Sequence, residues 1–131
     1  MTPDKPIADD ILRFIDANVD SIEQLEILRV LGEDDAKRWH VADLAKASQV
    51  NPSAIHAHLS ALEHRGLIRT ESVENQVVCQ ISPRNQSIAE MLARLLQAYK
   101  EHPVTMIRIV YDRADDRLKA FAEAFRLRKE N

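Results

Sequence analysis

Glycine is nearly missing from this chain of 131 residues, which has only Gly32 and Gly66. Two glycines cannot build the phosphate-cradling loops of nucleotide-dependent enzymes, where the backbone must approach the ligand repeatedly. Cysteine is scarcer still. Cys79 stands alone, which excludes an internal disulfide framework, fits a reducing compartment, and reads as a buried strand residue rather than a redox switch. No apolar run approaches the ~20 residues that span a bilayer, and Met1 to Pro6 has no signal-peptide core, so a cytoplasmic protein without membrane contact is expected. H-E-x-x-H and recognisable serine or cysteine nucleophile motifs are also missing. Capping and solvation account for Asp9-Asp10, Asp34-Asp35 and Asp115-Asp116. The expectation is therefore no enzyme, no catalytic residue and no cofactor.

Apolar residues make up 45% of the chain, enough to bury a core, and the length suits one domain over residues 1–131. Residues 1–6 read as a flexible start. Ile7, Ile11, Leu12 and Ile15 then mark a first amphipathic helix, interrupted at Val19-Asp20. Ser21 with Gln24 forms a capping-box pattern for a second, with an apolar face of Ile22, Leu25, Leu28 and Leu31 and a stop at Gly32. Trp39 is expected in a short extended piece against a hairpin. Beyond residue 82, Ser87 with Glu90 reads as another capping box, opening a helix with the stripe Ile88, Met91, Leu92, Leu95 and Tyr99. That face is broad enough to suit a second subunit. Pro103 must interrupt or restart the helix. Val104 to Tyr111 fits helix or strand, and helix is chosen. A final helix is expected from Asp112 or Asp115, with Leu118, Phe121, Ala122 and Phe125 on one face and Arg126, Arg128 and Lys129 near its end.

Between these flanks lies the organising stretch. Leu44 and Ala45 give a short apolar helix face, and Ser48-Gln49-Val50 a turn. Asn51-Pro52 starts a second helix through an N-cap residue and proline at the first position. Ile55, Leu59 and Leu62 form its buried face, and Gly66 supplies the left-handed stop. Leu67 to Thr70 and Val77 to Ile81 read as strands joined by a loose turn around Glu74-Asn75-Gln76, with Val77, Cys79 and Ile81 on one face.

The run VADLAKASQVNPSAIHAHLSALEHRGLI resembles the winged helix-turn-helix of MarR-type and ArsR-type bacterial regulators. The residues that carry the likeness are the Leu44-Ala45 pair, Val50 in the turn, the I-x-x-H-L-x-x-L-E core from Ile55 to Glu63, and Gly66-Leu67-Ile68 entering the wing. The likeness covers roughly Trp39 to Ile81. It implies a mainly α fold with a small β-hairpin wing: N-terminal helices over 7–36, the helix-turn-helix and wing over 37–81, and C-terminal helices over 82–131 that serve dimerisation. It also implies a transcriptional regulator that binds duplex DNA as a homodimer, and a packing or capping role for His58.

At about 100° per residue, the helix face opposite Ile55, Leu59 and Leu62 carries Ser53, Ala57, Ser60 and His64, flanked by His56 and Arg65. With Asn51, and with Arg69, Asn75 and Gln76 on the hairpin, these are the expected DNA contacts. The face is small and almost uncharged. Ala57 occupies a position where the relatives often carry arginine or lysine. Residues 37–76 hold five bases and four acids; residues 1–36 hold 10 acids and 3 bases, an acidic block that should face away from any nucleic acid. A second reading therefore stays open, a protein-interaction module whose small outward residues let a partner helix approach. His40, His56, His58 and His64 lack the i, i+4 spacing by which one helix holds an ion with two histidines, so no metal site is expected.

Overall fold

The computed structural model describes residues 6–130, so the expected loose start falls outside it except for Pro6, as does the side chain of Lys129. Nine elements follow one another: α1 (Asp9–Asn18), α2 (Ile22–Gly32), β1 (Trp39–His40), α3 (Val41–Ser48), α4 (Ile55–His64), β2 (Ile68–Val73), β3 (Gln76–Ile81), α5 (Gln86–Glu101) and α6 (Pro103–Glu130). The fold is mainly helical with a three-stranded antiparallel sheet in the order β1-β3-β2. No helix among the described residues is long and apolar enough to cross a membrane.

Local chemistry sets most boundaries. The Ser21 side chain accepts from the Gln24 amide at 3.3 Å, while Gln24 Oε1 reaches back to the Asp20 N–H at 2.9 Å, closing the start of α2. Gly66 ends α4 with φ +78°, where a side chain would be strained. Gly32 works differently. It sits at the end of α2 without a left-handed backbone, and a Cβ there would lie 2.4 Å from Leu96 Cδ1, so its small size admits α5.

Four boundaries differ from expectation. Helix α4 begins at Ile55, not Pro52, because Asn51 Oδ1 accepts from both the amide and the hydroxyl of Ser53 at 2.9 Å. That side-chain turn holds residues 51–54 in a tight loop before regular helix begins. Helix α5 is capped by Asn85, whose Oδ1 accepts from the Ile88 amide, so Ser87 lies inside the helix. The hairpin turn is tight: Glu74 and Asn75 alone join the strands, both at positive φ, in the twist that suits antiparallel pairing. Finally, α6 is one helix of 28 residues, with no break at Asp112 or Asp115. Neither proline nor glycine follows Pro103, and Asp115 pairs with Lys119 one turn on.

The core gathers Ile15, Leu25, Leu28, Leu44, Ile55, Leu59, Leu62, Leu67, Leu95 and Met106, all fully buried. Trp39 is half-buried against β3 opposite Cys79, with the Lys37 ammonium 3.7 Å from its ring centroid. The stripe on α5 is used up inside the chain. Leu92, Leu95 and Tyr99 are buried, and the Tyr99 hydroxyl donates to Glu26 of α2. The surplus apolar surface lies on α6 instead. The acids of the N-terminal block are largely neutralised by arginines: Asp10 by Arg94, Asp16 by Arg113 and Arg117, and Asp20 by Arg65 and Arg117.

Candidate nucleic-acid interface

Side chains on α4 divide by direction. Ile55, Leu59 and Leu62 enter the core. On the flanks, three polar groups are committed within the chain. His58 Nδ1 lies 3.3 Å from Nε2 of buried Gln24. The Glu63 carboxylate accepts from the Thr70 amide at 2.7 Å and the Thr70 hydroxyl at 2.8 Å, lashing α4 to β2. Arg65 donates to the Asn18 carbonyl at 2.8 Å and Gln24 Oε1 at 3.3 Å, and pairs with Asp20 at 2.7 Å. Arg65 therefore points into the α1–α2 corner and not outward with the other expected contacts. A carbonyl and a carboxylate at that corner attract the guanidinium, a circumstance invisible in the helical spacing.

Asn51, Pro52, Ser53, His56, Ala57, Ser60 and His64 remain outward and exposed. Asn51 holds the Ser53 turn through Oδ1, which leaves its side-chain amide free to donate. On the wing, Arg69, Asn75 and Gln76 are exposed, and the Arg69 guanidinium lies 3.8 Å from Glu71, a loose pair that a stronger anion can displace. Helix and wing meet over a groove of about 470 Å³, lined by Val41, Ala45 and Ile55 and edged by His40, Pro52, His56, Gln76 and Val77. The fold thus brings His56 and Gln76 together. His40 and Val77 join them because β1 pairs with β3, setting His40 opposite Val78. Two residues apart in type and sequence give no hint of that pairing; only the extended piece around Trp39 hinted at it.

Charge at this surface comes from its edges. Lys46 on α3 and Arg38 before β1 are exposed and form no ion pair with any described residue. Arg84 looks available in sequence, yet its Nη2 donates to the His64 carbonyl at 2.8 Å, capping the negative end of α4. Among the described residues, no three His, Cys, Asp or Glu side chains gather where a metal ion could bind. The buried Cys79 thiol is pushed up to about 12, chiefly by desolvation, so it stays neutral and poorly nucleophilic. The arrangement presents hydrogen-bonding groups and a few cations on a convex helix beside a protruding hairpin, a shape suited to a groove and its backbone.

Residues 25–72 match the family model of the IclR helix-turn-helix domain, spanning α2 to nearly the end of β2. Among solved structures, the chain is similar to AbsC, a MarR family transcriptional regulator from Streptomyces coelicolor, with a TM-score of 0.51 and 20% identity over 89% of this chain and 82% of that one. No curated protein matches the sequence. The fold is a winged helix-turn-helix, with α3 and α4 as the helix-turn-helix and the β2–β3 hairpin as the wing.

Proposed function

We propose that the protein is a cytoplasmic transcriptional regulator that binds duplex DNA as a homodimer. The observation that carries this reading is the contrast across α4: its inner face and flanks are held by the chain, while Ser53, His56, Ala57, Ser60 and His64 stay unengaged beside the wing. In this reading α4 enters the major groove. Ser53, Ser60 and the imidazoles hydrogen-bond base edges, and Ala57 meets a thymine methyl. Asn51 donates to a phosphate. Arg69, Asn75 and Gln76 follow the adjacent backbone or groove, with Lys46 and Arg38 adding cations at the edges. Arg65 holds α4 in place rather than touching DNA. Two copies related by a two-fold axis read a palindromic site. The IclR helix-turn-helix match and the likeness to a MarR family regulator support the same reading.

Fluorescence anisotropy against pooled genomic fragments, titrated from low to physiological salt, tests it. Binding that weakens steeply with salt is expected. Arg69→Ala should reduce the slope of log affinity against log salt by about 1, without loss of stability. No binding at low salt would turn the module into a protein-docking surface. One observation favours that second reading, namely that the outward face of α4 has no lysine or arginine and only small or neutral side chains.

A further inference from the structure

Helix α6 has two apolar faces. Met106 and Val110 enter the core, and Arg113 and Arg117 beyond them pair with α1. About a quarter turn round the helix run Val104, Ile107, Tyr111, Ala114, Leu118, Phe121 and Phe125. Their intervals alternate three and four, the average of 3.5 by which two helices wind around each other. The six large side chains of this seam are 37–71% exposed, and Phe121 stacks on Phe125 at 6.5 Å. Of the nine large apolar side chains exposed among the described residues, seven belong to α6, Leu127 completing the set.

We propose that the occupant of this seam is α6 of a second copy, running antiparallel, with the two-fold axis crossing between Asp112 and Arg113. The inference deepens the dimer of the reading above and specifies its contact. In this register Tyr111 faces Ala114 of the second copy, Ile107 faces Leu118 and Val104 faces Phe121. The bulkiest ring at the axis thus meets the smallest seam residue. Charge selects the register. Arg108, which has no ion-pair partner among the described residues, flanks the seam on the same side as Asp115, and the register sets each beside the other across the axis. Sliding by one heptad in either direction would bring Asp115 against Asp115 or Arg108 against Arg108. A parallel pair would offer Arg108 no carboxylate at all. Flanking charges of this kind set orientation and register in paired helices.

A separate feature of the surface agrees. Phe125 lies one turn past the Val104 layer, so it overhangs the N-terminal end of the facing α6. There Lys100 and Pro103 border a cleft of about 810 Å³ whose apolar wall includes Ala93, Leu92 and Leu96. The same helix that covers the seam delivers an aromatic ring to the mouth of that cleft.

Light scattering and sedimentation velocity at micromolar concentration, without DNA, test the proposal. The native chain should show twice its 15.0 kDa mass, and Phe121→Lys, an exposed site, should halve that mass with the circular dichroism unchanged. Arg108→Asp should weaken the dimer about tenfold, and adding Asp115→Arg should bring it back to within about threefold of the native affinity. A monomeric native protein, or a dimeric Phe121→Lys variant, would overturn the seam. Failure of the charge exchange to restore affinity would overturn the antiparallel register. DNA binding is read separately by anisotropy, so either proposal can fail while the other stands.

Discussion

Helices α4 and α6 each leave one face bare, and the difference between those faces separates two kinds of partner. On α4 the bare face is small and polar, and the helix is pinned on three sides by Gln24, Thr70 and the α1–α2 corner. Such a face offers hydrogen bonds in a fixed orientation, suited to reading a surface whose own groups are polar. On α6 the bare face is large, aromatic and regularly spaced, and residues 118–128 are exposed throughout. Large apolar seams gain by leaving water, so they call for another apolar surface.

The largest expected effect tests the pinned side of that comparison. Leu62 is fully buried beneath α4, and Leu62→Ala should lower unfolding free energy in urea by about 2–5 kcal/mol. Leu118→Ala, 66% exposed on α6, should change the stability of the monomer by no more than about 0.5 kcal/mol. Equal losses at the two sites would dissolve the distinction between an anchored helix and a free one.

Arg65 sharpens it next. Its side chain is 25% exposed and that of Asp20 44%, so solvent screening trims the ion pair, but the Asn18 carbonyl and Gln24 also lose a donor. Arg65→Ala should cost about 1–2 kcal/mol in the same melts, with the salt slope of DNA binding unchanged. An unaltered melt with a shallower slope would return Arg65 to the contact surface.

The smallest effect concerns the core behind both helices. Burial raises the Cys79 thiol from 9.0 to about 12, and burial with the hydrogen bond to Glu26 raises the Tyr99 phenol from 10.0 to about 12. Both groups ionise more readily in the unfolded chain. Stability should therefore be complete below about pH 9 and decline as pH rises toward 12, by about 1 kcal/mol at pH 10. Cys79→Ala should flatten the first part of that decline. A melt whose pH profile is identical with and without the thiol would show that Cys79 is not the titrating group.

Much of this architecture was legible in the residues. Ser21 with Gln24, Gly66, the Ile55-Leu59-Leu62 spacing and the alternation after Leu67 are local signals, and each acts within one turn or one hairpin. Helix was the right choice for Val104 to Tyr111, because Val104 and Ile107 keep helical spacing with the buried Met106 and Val110 between and beyond them. The errors came where two local signals competed. Asn51 and Asn85 both took backbone or side-chain donors that the sequence reading had assigned to other residues or to helix, since an Asx oxygen can satisfy several nearby groups. Asp112 and Asp115 read as helix starts, yet a carboxylate with Lys119 one turn away is equally at home inside a helix.

What the sequence determined by itself is the order and identity of the elements, because periodicity, caps and turn residues act over three to five positions. Tertiary structure alone decided which charges are free. Arg65 and Arg84 fold inward onto carbonyls and a carboxylate brought from elsewhere, Arg69 stays at the surface, and His40 arrives beside Gln76 through a strand pairing. It also moved the surplus apolar surface from α5 to α6, since α2 and the core cover one helix and leave the other bare. Whether a side chain meets protein or water depends on what the rest of the chain places opposite it, and that placement is not encoded in any single window of residues.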